Sequence, residues 1–100
     1  VHGDAPDIAP FWRALRGRAR LVLNGHEHVM MRYRRRAGIT EYIAGTGGTV
    51  RYGLRPDSRA AFARSDRIGA LRMVLAPGQA KLEFRNVSGE VLDRSRATCR

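Results

Sequence analysis

The run Leu21-Val22-Leu23, followed at once by Asn24-Gly25-His26-Glu27-His28, constrains this chain more than any other stretch. Three consecutive apolar residues closed by Asn-Gly predict a short strand buried on both faces, as found inside a layered α/β protein. A tight loop carrying two histidines follows. In an extended segment alternate side chains point the same way, so His26 and His28 are placed to reach one site while Glu27 turns away. Gly25 supplies the change of direction and leaves room for an ion beside the backbone. A neutral imidazole keeps a lone pair free at pH 7 and ligates zinc, iron, manganese or nickel. The pair also admits a plainer reading, in which one histidine is a hydrogen-bonded loop residue.

The flanking segments fit one layered domain over residues 1–100. Asp4-Ala5-Pro6-Asp7 carries helix-start chemistry, and Ile8, Phe11, Trp12 and Leu15 then share a helical face, which predicts a helix from about Pro6 to Arg16. At that spacing Trp12 reads as a residue covering a sheet. Ile39-Thr40-Glu41-Tyr42-Ile43-Ala44 alternates and predicts a strand running into Gly45-Thr46-Gly47-Gly48. A phosphate-cradling loop needs Gly-Lys-Ser/Thr opening a helix, so these glycines read as a turn. Residues 53–67 break periodicity and predict a loop with a short helical turn around Arg59 to Ala63. Residues 70–75 and 80–87 alternate on either side of Pro77-Gly78-Gln79 and predict a hairpin with one buried face. After a turn at Ser88-Gly89-Glu90, Val91-Leu92-Asp93 is expected to add a short edge strand before a charged tail.

Charge is lopsided. Nineteen basic residues against 9 acidic ones give +10, and all but Lys81 of the basic residues are arginine. Guanidinium groups suit phosphate, so a small arginine-rich module binding nucleic acid is one reading, centred on Arg32-Tyr33-Arg34-Arg35-Arg36. That cluster serves equally well as a solvated loop or strand edge, and no helix-turn-helix, zinc-finger or RNA-recognition signature accompanies it. A third reading is a structural or interaction domain in which the hairpins matter and the histidines do not. Cys99 is the single cysteine, which excludes a disulfide or a cysteine-based zinc site within the chain. No apolar run approaches the roughly 18 residues of a membrane span, and no signal-peptide architecture is present.

A hydrophobic strand ending in Asn24-Gly25-His26-Glu27-His28 resembles the last motif, Gly-His-x-His, of the calcineurin-like metallophosphoesterases. Gly45-Thr46-Gly47-Gly48 after the next strand, and the terminal Thr98-Cys99-Arg100, are similar to the bacterial, purple-acid-phosphatase-like branch of that family. Arg32 fits the family pattern after the motif; Met30 and Met31 depart from it and read as packing residues. Gly3-Asp4-Ala5-Pro6-Asp7 matches Gly-Asp-x-x-Asp in letters only, because the family's bridging aspartate follows a hydrophobic strand far upstream. His2 then reads as a loop residue. The resemblance implies the C-terminal portion of a four-layer α/β/β/α sandwich, mostly β here, with one N-terminal helix and a C-terminal hairpin. It further implies His26 and His28 as ligands to two divalent or mixed-valence metal ions (Fe, Zn or Mn), a phosphate-ester substrate, and a secreted or periplasmic setting. The remaining ligands would lie in a missing N-terminal half, so the 100 residues alone are expected to be inactive, with the apolar edge of the Leu21–Leu23 strand exposed and aggregation-prone.

Overall fold

The computed structural model describes residues 5–48, 50 and 53–99. His2, the Gly3-Asp4 segment, and Thr49, Arg51 and Tyr52 beyond the glycines lie outside the described residues. A single 3₁₀ turn, Pro6–Ile8, leads into helix α1, Ala9–Leu15, with prolines at the start of each where a missing N–H costs nothing. Seven strands follow: β1 Leu21–Asn24, β2 Met30–Tyr33, β3 Thr40–Ala44, β4 Ala60–Arg64, β5 Gly69–Ala76, β6 Gln79–Asn86 and β7 Val91–Thr98. They form two sheets, ordered β1-β3-β2-β4 and β5-β6-β7. β1 runs parallel to β3, whereas every other pairing is antiparallel. The radius of gyration, 13.6 Å, is close to the roughly 13 Å expected for 100 residues packed as one body.

Alternation along the strands builds the core between the sheets. Met30 and Tyr42 from the first sheet meet Ala80, Leu82 and Phe84 from β6, all fully buried. Phe62 of β4 stacks on Phe84 at 5.5 Å between ring centroids, and Tyr42 tilts against the same ring at 6.3 Å. Two polar links cross this apolar layer. The Arg32 guanidinium donates twice to the Asp93 carboxylate, at 2.8 Å each, and the Tyr42 hydroxyl shares a 2.9 Å hydrogen bond with Ser95. Each demands one relative position of the sheets, so together they fix the packing register as well as satisfying half-buried groups.

The opposite face of the first sheet carries a second cluster, Val29, Met31, Tyr33 and Ile43, with Ala60 and Ala63 against it. Helix α1 lies over this face. The outer face of the second sheet is charged instead: Glu83 sits within 2.7 to 3.5 Å of Arg72, Arg85 and Arg94. These guanidiniums hold the Glu83 carboxyl below its ordinary pKa, the Arg85 hydrogen bond contributing most. The molecule is therefore mostly β, with one short helix and two sheets. No helix among the described residues covers the charged face.

Three expectations need correction. Residues around 59–63 form strand β4 instead of a helical turn, because pairing with β2 places Phe62 opposite Arg32 and Ala63 opposite Met31 and overrides the helical preference of alanine. The supposed charged tail is most of β7, in which Arg94 and Arg96 alternate with Ser95 and Ala97. β1 is not buried on both faces: it is an edge strand, Leu23 is 50% exposed, and its parallel neighbour β3 comes from within the chain.

β2 and β3 continue into a tight hairpin tip. Arg36 and Ile39 exchange both backbone hydrogen bonds at 2.9 Å, leaving Ala37 at φ 49° and Gly38 at φ 82° as the two central turn residues. Positive φ at both positions is the signature of a type I′ turn, which favours Asn-Gly over Ala-Gly. Ala37→Asn is accordingly expected to stabilise the chain by about 0.5–1 kcal/mol and raise its melting temperature by several degrees. An unchanged or lower midpoint in thermal unfolding followed by circular dichroism would contradict this.

Candidate functional site

The histidine loop departs from the extended geometry that its spacing suggested. After β1 the Glu27 N–H donates to the Gly25 carbonyl at 2.9 Å, and the Val29 N–H donates to the Glu27 carbonyl at 2.8 Å. Each bond closes a three-residue turn. The left-handed residue is His26, at φ 71°, not Gly25, where an added Cβ would meet no atom within 4 Å. A coiled loop abolishes the two-residue alternation, so the argument that sent both imidazoles to one side no longer applies. His26 is exposed and lines a cleft beneath α1. His28 is half-buried and turns toward the glycine-rich loop, where its Nδ1 hydrogen-bonds the Val50 carbonyl. Of the two concavities between α1 and the first sheet, His26 lines one and His28 lines neither.

The glycine-rich loop is placed by backbone contact. Gly45 donates to the Val29 carbonyl at 3.0 Å, and a Cβ built on it would fall 1.7 Å from the Glu27 carbonyl oxygen. Next to it Thr46 is 1% exposed, and its hydroxyl has no hydrogen-bond partner among the described residues. The loop therefore serves as a turn that seats the histidine loop, which agrees with the plainer reading of these glycines.

Two concavities open between α1 and the first sheet. One, about 460 Å³, is lined by Ile8, Phe11 and Trp12 from the helix side and by Val22, His26 and Ile43 from the sheet side. Phe11 is 60% exposed at its rim, and β1 forms its outer wall with the far edge of that strand unpaired among the described residues. The second concavity, about 610 Å³, lies between α1 and the β2–β3 hairpin tip and is lined mainly by arginine. Sequence reasoning found the apolar strand and the arginine run but not these clefts, because neither is formed by residues close in sequence.

No group of three or more His, Cys, Asp or Glu side chains that could hold a metal ion occurs among the described residues, so metal binding is not supported for this chain. No helix among them is long and apolar enough to cross a membrane. No protein-family model and no curated protein matches the sequence. The fold is similar to that of a solved structure described as GAP50, the anchor in the inner membrane complex of Plasmodium, with a TM-score of 0.79 and 19% sequence identity. The superposition covers 96% of this chain and 31% of that one, so the present chain spans about a third of its length. These comparisons overturn the metallophosphoesterase expectation and give nothing to a nucleic-acid-binding module: the structural neighbour is described as an anchor, and at this identity the likeness establishes the fold alone.

Proposed function

We propose that this chain is a docking module, which holds another polypeptide and does not turn over a substrate. The observation that carries the reading is β1. Parallel strands are normally covered on both sides, yet β1 pairs with β3 on one edge and with no described strand on the other, while its apolar side chain Leu23 is half exposed. Phe11 and the 460 Å³ cleft, which Val22 lines, add apolar surface on the other face of the same strand. An open edge supplies backbone hydrogen bonds, and the flanking apolar groups supply selectivity, which is how β-augmentation works.

The occupant is an extended, apolar strand of a partner polypeptide, laid parallel to β1. It would widen the first sheet beyond its four strands. Further support is that the structural neighbour, three times longer, is itself described as an anchor.

Photo-leucine introduced in turn at Leu21 and Leu23, in the source organism, tests this. Both positions are expected to cross-link one extended segment, with the Leu23 adduct about two residues C-terminal of the Leu21 adduct, the register of a parallel strand. Adducts scattered over unrelated segments, or in the reverse order, would remove the proposal.

A further inference from the structure

The larger cleft has a chemistry of its own. Its walls carry six arginines, Arg13 from α1 and Arg16 just after it, Arg34, Arg35 and Arg36 from the hairpin tip and Arg59 just before β4, against one carboxylate, Glu41. Some of these are committed. Arg59 grips Asp57 with two donors and lies over the Tyr33 ring, Arg34 donates to the Ser58 carbonyl, and Glu41 accepts from the Asn24 amide. Arg13, Arg16, Arg35 and Arg36 have no hydrogen-bond or ion-pair partner among the described residues. Four uncompensated guanidiniums around one concavity raise a strong positive potential inside it. The I′ turn at Ala37-Gly38 fixes the backbone that carries Arg35 and Arg36, while their exposed side chains become ordered when an anion binds.

Size and lining narrow the ligand. About 610 Å³ lies in the range of small-molecule sites and far exceeds what a lone phosphate fills. Buried Tyr33 and Ile39 close the floor, and half-buried Trp12 forms one wall. We propose that this cleft binds a compact ring bearing several phosphates, the guanidinium forks taking the phosphates and Trp12 packing on the ring. The same chemistry occurs in a free polyphosphorylated cyclitol and in a phosphoinositide headgroup, and the assay separates them. This cleft shares Trp12 and Glu41 with the smaller cleft beside β1, but the arginines line this one alone, so the arginine variants separate the inference from the docking role.

Trp12 is the only tryptophan, so its fluorescence reports occupancy of the full 100-residue chain directly. Titration with inositol hexakisphosphate, and with phosphatidylcholine vesicles containing or lacking phosphatidylinositol bisphosphate, is expected to give a saturable change. Response to the soluble ligand alone assigns a free cyclitol phosphate; response to the charged vesicles assigns a lipid headgroup. Arg35→Ala with Arg36→Ala is expected to weaken binding about tenfold or more, while the charge-matched pair Arg94→Ala with Arg96→Ala, on the opposite side of the molecule, changes it less than about twofold. Near-ultraviolet circular dichroism checks that both variants keep their fold, as expected for exposed side chains. Equal losses in the two pairs would reduce the effect to net charge and overturn the site, as would no saturable signal with either ligand.

Discussion

Gly45→Ala is expected to destabilise this chain strongly by forcing the glycine-rich loop away from the histidine loop. The added Cβ would stand 1.7 Å from the Glu27 carbonyl oxygen, 2.7 Å from its carbon and 3.3 Å from the His28 Cα, all of them backbone atoms that no rotamer change can move aside. Relief requires separating two segments that are tied by the Gly45-to-Val29 hydrogen bond and by His28 on Val50. Overpacking in a fixed core typically costs 1–3 kcal/mol; with backbone on both sides and a hydrogen bond lost, about 3–4 kcal/mol is the expected scale. For a chain of 100 residues, whose total stability is on the order of 5–15 kcal/mol, that is a large share. Gly47 provides the control. A Cβ there meets nothing within 4 Å, so Gly47→Ala is expected to change stability by less than about 0.5 kcal/mol. Urea titrations in which the two variants shift alike would show that loop contact is not what holds Gly45.

Phe84→Ala is expected to be the most damaging single truncation. The ring is fully buried on β6 and is the meeting point of both sheets, with Phe62 stacked on one side and Tyr42 tilted on the other. Removing it leaves a cavity whose rim is pinned by the Arg32–Asp93 and Tyr42–Ser95 links, so the sheets cannot close over it. A loss of about 3–5 kcal/mol is expected, near the top of the range for buried aromatic truncations. Phe84→Leu should recover a large part of it. A loss below about 1.5 kcal/mol in denaturant titration would mean that the sheets slide to fill the space and that the polar links do not set their register.

The sequence carried the local pairings well and the distant ones poorly. Residues 70–75 and 80–87 alternate around Pro77-Gly78, and the hairpin of β5 and β6 is there; Met30 and Met31, read as packing residues, are buried on opposite faces of β2. β4 was hidden because the three alanines of Ala60-Ala61-Phe62-Ala63 have little strand preference, and its conformation is imposed by β2 from about thirty residues away. In β7 the signal was present, polar and small residues alternating from Arg94 to Ala97, but the charge of the segment masked the period.

Residue types in a motif proved a weaker guide to the site than backbone conformation. Gly25 reads as the residue that turns the chain, yet the left-handed position falls on His26, and that displacement removes the extended, alternating geometry that the spacing suggested for the loop. The arginine run was visible as composition, but its concavity depends on α1 lying across the hairpin tip, a relation that no local pattern encodes.

The second sheet is a meander of strands that follow one another directly, whereas the first requires β1 to find β3 across an intervening strand and β4 to return to β2. Loop-closure entropy therefore favours the meander as the part that organises earliest once its residues are available. It also emerges from the ribosome after β1 to β4. During synthesis the apolar inner face of Met30, Tyr42 and Phe62 must wait, uncovered, for the segment that will seal it, so between the emergence of residue 64 and that of residue 98 this face is open to wrong association.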